Sequence, residues 1–254
     1  MPRDAAAHPR LSVDPVVPRP AATIIVARPA PPHLELLLLQ RPMESRFAAG
    51  AYVFPGGVIE ADDASPTWAG RLPPVGESTA CVAALRELFE ETGILPGSTQ
   101  PGDPSGLAEA RRALLADQTR FSRLAERLHF DFSSESIAYF ARWITPATLA
   151  LRFDTRFFLL PVLEPLGPIS LTSEHDRALW VTPGDARRGF TAGRLPMLFP
   201  TIKTIERLAG FASLEAALDG LGDVAVEPAL VKLQAGGSGV RPLAPGAPGY
   251  DEFP

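Results

Sequence analysis

Apolar residues form short uninterrupted runs at several places along the chain, and these runs predict strands. Residues 23–27, 34–39 and 157–162 have the length and composition expected for buried strands. Residues 178–181 form a further run, which follows an acidic turn that contains Glu174. We therefore expect a sheet whose strands come from both halves of the chain.

Helically spaced apolar residues predict helices between and after these strands. The segment after Ala80 carries an apolar stripe made of Val82 and Leu85 with Leu88 or Phe89. This stripe leaves an acidic side of the helix facing outward. Residues 107–128 also have helical spacing, and residues 202–221 are predicted to be a helix pair with Thr201 as a candidate N-cap. With 254 residues and 46% hydrophobic content, the chain can bury one good core and is expected to form one domain with additions.

The two ends of the chain differ in composition from the part between them. Residues 1–20 contain five prolines and no apolar periodicity, so a flexible leader is predicted there. Residues 235–254 are rich in glycine and proline and are expected to be irregular, which leaves residues 21–234 as the folded domain. No run approaches the roughly twenty apolar residues that a membrane span requires.

Three glutamates crowd one turn of the first predicted helix. Residues 86–94 read Arg-Glu-Leu-Phe-Glu-Glu-Thr-Gly-Ile, and Glu87, Glu90 and Glu91 fall within a sector of about 100° on a helix. Ser78 or Thr79 is a candidate N-cap, and Gly93 is expected to end the helix.

Two interpretations of these carboxylates remain open on this pattern alone. The glutamates are either a solvated helix face or ligands of a hard divalent cation, which would offset the repulsion between like charges. Upstream, Gly56 and Gly57 follow Phe54-Pro55, and paired glycines allow a backbone to approach a ligand or ion closely. A glycine turn, a buried helix stripe and an acidic face together favour a metal site.

These residues resemble the Nudix box, whose pattern is Gly, five residues, Glu, seven residues, then Arg-Glu-U-x-Glu-Glu-x-Gly-U with U aliphatic. Residues 86–94 match the second half at every fixed position. In the first half, Gly57 is taken as the opening glycine and Glu77 as the next acid, with nineteen residues between them. The insertion, residues 61–74, is expected to be a surface loop.

The resemblance implies a fold, a cofactor and a reaction. The fold would be a Nudix α/β/α sandwich with a mixed β-sheet, a loop insertion inside the box and a C-terminal helical extension. Glu87, Glu90 and Glu91, with the carbonyl of Gly56, would ligate Mg²⁺ or Mn²⁺, and Arg86 would orient a neighbouring carboxylate. Water would attack a phosphorus of a pyrophosphate in a nucleoside diphosphate derivative, and one carboxylate is a candidate base.

The segment before the glycines resembles coenzyme A diphosphatases of this family. Arg41, Arg46, Gly50 and Phe54 have the spacing of that motif, although Ala48 stands where the motif has histidine. Arginine forks suit the phosphates of coenzyme A, so Arg41, Arg46 and Gly57 are the candidate substrate-binding residues. The alternative is two surface arginines that flank a loop.

Residues 140–146 and 152–159 resemble the peroxisomal acyl-CoA diphosphatase branch, which also carries an insertion inside its box. In these segments Arg152 and Arg156 are candidates for phosphate contact or for pairing with Asp154. Glu174 is a candidate further acid near the metal. The expected substrate is coenzyme A or an acyl-CoA, cleaved to 3′,5′-ADP and (acyl-)phosphopantetheine. NADH, ADP-ribose or a capped RNA end are alternative substrates, and a nucleotide-binding module without turnover is a different class.

Charge and cysteine content limit the partners. The net charge of −5 argues against broad nucleic-acid binding, which requires Lys and Arg to neutralise phosphates. The single cysteine, Cys81, is expected to be a small buried apolar residue, and a cytoplasmic setting is predicted. The expected partner is a small nucleotide substrate, with no membrane and with a homodimer as a possible assembly.

Overall fold

The computed structural model describes residues 16–97, 104–163, 168–221, 225–236 and 239–252. The strands of these residues are, in chain order, β1 (Arg19–Ala30), β2 (His33–Gln40), β3 (Tyr52–Val53), β4 (Gly56–Val58), β5 (Ala138–Ile144), β6 (Phe153–Pro161), β7 (Arg177–Val181), β8 (Pro228–Leu230), β9 (Lys232–Gly236) and β10 (Gly239–Leu243). The α-helices are α1 (Ser78–Thr92), α2 (Pro104–Leu115), α3 (Phe121–Leu128), α4 (Pro183–Thr191), α5 (Phe199–Leu208) and α6 (Leu214–Leu221).

Eight strands form one mixed sheet around the long strand β1. Its order is β3-β2-β1-β6-β5-β8, with β4 also paired to β1 and β7 also paired to β2. Strand β1 runs antiparallel to β2 and β4 but parallel to β6, with Ala22 opposite both Gly57 and Arg156. The register therefore aligns the glycine turn with the start of β6 across β1.

Helices cover both faces of this sheet, which explains why its central strands are continuously apolar. Alternate residues of β1, β2 and β6 pack against α1, α2 and α3 on one face, namely Ile24, Val26, Leu37, Leu39, Phe158 and Leu160. Their neighbours pack against α4, α5 and α6 on the other face, namely Ile25, Ala27, Leu36, Leu38, Phe157 and Leu159. The predicted α/β/α sandwich with a mixed sheet is confirmed.

Most elements predicted from the sequence are present. The four apolar runs lie within β1, β2, β6 and β7, apart from the last residue of the third run, residues 107–128 overlap α2 and α3, and residues 202–221 overlap α5 and α6. Cys81 is fully buried, as predicted, and burial raises the pKa of its thiol to about 12. In the described part of the chain, no helix has the length and apolar character needed to cross a membrane.

Three local predictions are wrong. Thr201 does not cap α5, because the helix begins two residues earlier, with Leu198 at the N-cap. The tail is not irregular throughout, because β9 and β10 pair as a hairpin. Strand β1 begins at Arg19, inside the segment predicted to be a leader, while residues 1–15 of that leader lie outside the described residues.

The insertion of residues 61–74 is not simply a surface loop. It contains two short 3₁₀ turns, at Ala61–Ala64 and Pro66–Trp68, which bury Asp63 and Trp68. Trp68 packs against Phe121 of α3 with ring centroids 5.0 Å apart, and Asp62 accepts hydrogen bonds from the backbone and hydroxyl of Ser122. Because these contacts fix the insertion against α1 and α3, it forms part of the folded domain.

Candidate active site

Helix α1 lies on the sheet with its C-terminal half beside strand β4. Its sheet side includes alanines, and small side chains allow the helix to approach the strands closely. Gly93 ends the helix in the left-handed region, with φ of 75°, as predicted. Glu77, and not Ser78 or Thr79, is the N-cap residue, and it too has a positive φ, of 64°.

Arg86 is the central residue of the site. Its Nε and Nη2 donate to the two oxygens of Asp63, at 3.0 and 3.1 Å, and Nη2 also donates to the carbonyl of Val58 at 2.9 Å. Its Nη1 donates to Glu87 at 2.9 Å and to Glu90 at 3.3 Å. The guanidinium, only 3% exposed, therefore joins the insertion, the end of β4 and two of the three glutamates.

Asp63 corrects the assignment of the first half of the box. It follows Gly57 after five residues, which is the spacing of the family pattern, and it is bound to the box arginine. Glu77 instead lies at the opposite end of α1, where it pairs with Arg156 at 3.3 Å. The insertion therefore follows the first acid of the box, so that 22 residues separate Asp63 from Arg86 where the pattern has seven.

Glu91 is held on the other side of the cluster. One carboxylate oxygen accepts a hydrogen bond from the backbone N–H of Gly56 at 3.1 Å, and the other lies 3.7 Å from Nε2 of His175. The side chain is buried, which differs from the prediction that the whole acidic side faces outward. Glu91 therefore connects α1 to the glycine turn and to the loop that precedes β7.

Gly57 provides the space that Glu87 occupies. A Cβ at this position would overlap the carboxylate of Glu87, so no larger residue fits without moving it. This close approach explains the second glycine of the turn. It also shows that Gly57 faces the carboxylate cluster.

Burial, which is partial at Glu87 and Glu90 and nearly complete at Glu91, makes the three carboxylates unusually basic. It raises the pKa of Glu90 to about 7, with Arg86 opposing the effect. Burial also raises the pKa of Glu87, and it raises that of Glu91 well above its usual range, with the charge of Glu87 adding to it. For Arg86, burial acts to lower the pKa, but Asp63 and the neighbouring glutamates raise it overall. Negative charge is thus concentrated where little solvent stabilises it.

The donor set fits a hard divalent cation such as Mg²⁺ or Mn²⁺. Carboxylate oxygens are the ligands these ions prefer, and a cation would offset both the burial and the repulsion of Glu87, Glu90 and Glu91. Two of the three are turned toward Arg86, so in the described ranges no group of three His, Cys, Asp or Glu side chains is arranged to hold an ion. The three glutamates therefore have the oxygen donors that such an ion requires, and two of them, Glu87 and Glu90, are paired with Arg86.

The other candidate residues differ in their distance from this cluster. The charge of Arg41 acts on both Glu91 and His175, and its Nε donates to the carbonyl of Phe47 at 3.1 Å. The charge of Glu174 acts on Glu87 and Glu91, so this acid also lies near the cluster. Arg46 is exposed on the loop after β2.

The arginines of β5 and β6 form a separate network. Arg142 binds Asp154 through two hydrogen bonds, at 2.8 and 2.7 Å, and Arg156 pairs with the same carboxylate at 3.0 Å. Arg152 donates instead to backbone carbonyls, including that of Thr145. The sequence leaves either phosphate contact or pairing with Asp154 open for Arg156, and the structure shows the pairing with Asp154.

Two residues of the site were not found by sequence reasoning. Asp63 lies inside residues 61–74, which the sequence predicts to be an inserted surface loop, although counting five residues from Gly57 identifies it as the first acid of the box. His175 was passed over in favour of its neighbour Glu174. No local pattern marked it, since its approach to Glu91 joins segments more than eighty residues apart. Burial, followed by the charge of Arg41, lowers the pKa of His175 to about 4.

Comparison with known proteins shows which family the chain is similar to. The family model described as the NUDT19 Nudix domain matches residues 73–208. The chain is 29% identical over 248 residues to the acyl-coenzyme A diphosphatase NUDT19 of Homo sapiens, covering 77% of this chain and 66% of the human protein. It is 30% identical over 263 residues to the Gallus gallus protein of the same name, covering 77% and 69% respectively. The chain thus spans about two thirds of the length of these relatives.

A solved structure shows the same architecture. The crystal structure of a Nudix hydrolase from Alicyclobacillus acidocaldarius aligns with a TM-score of 0.70 and 29% identity, covering 84% of this chain and 99% of the other. The sheet between two helical layers, the box residues around Arg86 and the family match lead to one conclusion. This chain belongs to the Nudix hydrolase family, in the branch defined by the NUDT19 Nudix domain.

Proposed function

We propose that this protein hydrolyses the pyrophosphate bond of a nucleoside diphosphate derivative with the help of Mg²⁺ or Mn²⁺. The observation that carries the proposal is the cluster at the glycine turn, in which the partly buried Glu87 and Glu90 pair with Arg86 and the buried Glu91 accepts from Gly56. A merely solvated helix face would not bury these carboxylates or raise their pKa.

Each residue of the cluster has a physical role in this proposal. Glu87, Glu90 and Glu91, with the carbonyl of Gly56, would hold the cation, which when bound supplies positive charge to the phosphoryl oxygens and acidifies water. Arg86 fixes the side chains of Glu87 and Glu90, and its own orientation is set by Asp63. One of the glutamates is the candidate base for the attacking water, and the raised pKa values suit that role.

The favoured substrate is coenzyme A or an acyl-CoA, cleaved to 3′,5′-ADP and (acyl-)phosphopantetheine. Relatives named acyl-coenzyme A diphosphatase support this choice. The loop after β2 adds chemical support, because it carries Arg41 and the exposed Arg46 together with the exposed side chains of Met43 and Phe47. Arginines suit the phosphates, and the two apolar side chains suit a pantetheine or acyl arm.

Product analysis tests the reaction. Purified protein is incubated with Mg²⁺ or Mn²⁺ and with coenzyme A, an acyl-CoA, NADH or ADP-ribose in separate reactions, and the products are separated by chromatography. We expect 3′,5′-ADP from the first two substrates. Turnover of NADH or ADP-ribose alone would retain the hydrolase and remove the coenzyme A assignment. Tight nucleotide binding without turnover at saturating metal would favour a binding module.

The substrate class is tested separately by Arg46→Ala. If Arg46 contacts the 3′-phosphate, we expect this variant to raise KM for coenzyme A more than for dephospho-coenzyme A, which lacks that phosphate. The matched control is Arg187→Ala, an exposed arginine on α4 outside the site. Equal changes of KM for the two substrates would contradict a 3′-phosphate contact.

A cytoplasmic setting and a homodimer are further parts of the proposal. Both follow from sequence reasoning: a single cysteine suits a reducing compartment, and symmetric dimers are the commonest assemblies of such chains. Sedimentation at several protein concentrations tests the dimer, and a monomer throughout would contradict it.

A further inference from the structure

We propose that His175 is a positioning residue for Glu91. Its imidazole holds the carboxylate oxygen that Gly56 does not hold and keeps this glutamate directed toward the cation. The inference rests on the proposed metal-dependent function. It assigns a role to a residue of the loop before β7, outside the Nudix box.

The imidazole faces Glu91 from a fixed position. The backbone N–H of His175 donates to the carbonyl of Thr172 at 3.2 Å, and the next residue, Asp176, donates to the carbonyl of Gln40 at 2.9 Å. These bonds tie the loop to the end of β2. The side chain of His175 is 1% exposed, and its Nε2 lies 3.7 Å from one oxygen of Glu91, whose other oxygen accepts from Gly56.

Glu91 differs from the other two glutamates in what holds it. Glu87 and Glu90 share the Nη1 of Arg86, while Glu91 has a backbone N–H and the imidazole as its neighbours. A distance of 3.7 Å is longer than a hydrogen bond, so the imidazole and the carboxylate must approach by about 0.5 Å to form one. A donor at Nε2 would then hold the carboxylate on both oxygens, in addition to the charge of Arg41 that acts on Glu91.

The second ring nitrogen argues against a purely structural role. Nδ1 of His175 is buried and has no hydrogen-bond partner among the residues that the structure describes. An unpaired buried polar atom is costly, and an apolar residue of similar size would pack there without that cost. The histidine is therefore explained by what Nε2 does toward Glu91, and not by packing.

Three substitutions distinguish a role of His175 as a hydrogen-bond donor from a role in packing alone: His175→Gln, His175→Asn and His175→Leu. The amide nitrogen of glutamine reaches about as far as Nε2, that of asparagine only as far as Nδ1, and leucine fills space without a donor. Two quantities are measured for each full-length variant. The first is Mn²⁺ affinity by electron paramagnetic resonance titration, and the second is hydrogen exchange of the Gly56 amide in metal-free protein.

We expect His175→Leu and His175→Asn to weaken Mn²⁺ binding by about 10-fold or more, the usual effect of removing a partner of a metal ligand. The Gly56 amide should exchange faster in both, because Glu91 is released. His175→Gln should stay close to wild type in both measurements. Wild-type affinity and exchange in His175→Leu, or an equal loss in His175→Gln, would overturn the inference. Wild-type protein that binds no Mn²⁺ would instead contradict the proposed function itself.

Discussion

At the scale of single residues, the site depends on how one guanidinium is shared among several carboxylates. Arg86 makes hydrogen bonds through all three of its nitrogens, to Asp63, Glu87, Glu90 and the carbonyl of Val58. Charge-assisted and bidentate pairs of this kind are stronger than ordinary hydrogen bonds and also fix geometry. The positions of two proposed metal ligands therefore depend on an aspartate that contacts neither of them.

Asp63→Asn tests this dependence through stability. The substitution keeps the shape of the side chain but removes the charge that faces Arg86. Breaking a buried ion pair costs about 3–5 kcal/mol, and we expect the lower end because Glu87 and Glu90 still pair with the arginine. The free energy of unfolding is measured by urea denaturation.

Asp117→Asn is the matched control for Asp63→Asn. Asp117 also pairs with an arginine, Arg120, but its side chain is 91% exposed, so no measurable loss is expected. A loss in Asp63→Asn no larger than that of the control would show that the Asp63–Arg86 pair does not hold the insertion against α1.

At the scale of elements, helix α1 is anchored most firmly at the end that carries the glutamates. Arg111 of α2 donates twice to the carbonyl of Glu90, at 2.9 and 2.7 Å, and the N–H of Ser170 donates to the carbonyl of Thr92 at 2.9 Å. Gly93 closes the helix with a bond to the carbonyl of Phe89. These bonds satisfy carbonyls that would otherwise lack partners at a helix terminus.

Gly93→Ala should destabilise the protein by about 1 kcal/mol, because alanine disfavours the left-handed conformation found there. A Cβ would meet Arg111 only at 3.7 Å, an ordinary contact, so no steric term is added. Gly106→Ala in α2 is the control, for which we expect the opposite change, an increase in the free energy of unfolding. Its Cβ meets nothing within 4 Å, and alanine in a helix is favoured over glycine by about 1 kcal/mol. Urea denaturation of both variants checks the prediction, and changes of the same sign would contradict it.

The carboxylates of α1 should also make stability depend on pH when no metal is present. The pKa of Glu90 in the folded protein, about 7, exceeds its ordinary value of 4.5. The folded state therefore binds this proton more tightly, so the stabilising contribution is present below about pH 4.5 and is lost as the pH rises through about 7. We expect the stability of wild type relative to Glu90→Gln, measured by urea denaturation in EDTA, to fall over this range. Parallel profiles would show that Glu90 is not buried as described.

At the scale of the whole molecule, sequence reasoning succeeded where the signal is local. The box helix, its glycine end and the apolar strands follow from spacing and composition, and the sandwich follows from the family resemblance. The pairing of β5 with β8 and the β9–β10 hairpin were not predicted, because strand partners are chosen by tertiary contacts. His175 was missed for the same reason, since the fold alone brings it to Glu91.

The insertion illustrates a different limit of the sequence. Its prolines and polar residues predicted a loop, and that composition gave no sign that Asp63 and Trp68 are buried. Their burial depends on Arg86 and Phe121, which lie more than twenty residues away. The spacing of the Nudix box identifies a residue such as Asp63 only when the position of the insertion within the box is known. In the structure, the residues added to the family pattern follow Asp63.

The most direct test of the whole account compares the turnover of Glu91→Gln with that of Glu77→Gln. Initial rates are measured with saturating Mg²⁺ on the substrate that wild type cleaves fastest, and urea denaturation confirms that both variants are folded. Glu91→Gln keeps the acceptor for Gly56 but loses the charge, so we expect its kcat to fall by at least about 100-fold. Glu77→Gln, at the far end of α1, should retain most of its activity. A folded Glu91→Gln with wild-type kcat would contradict the assignment of these carboxylates to catalysis.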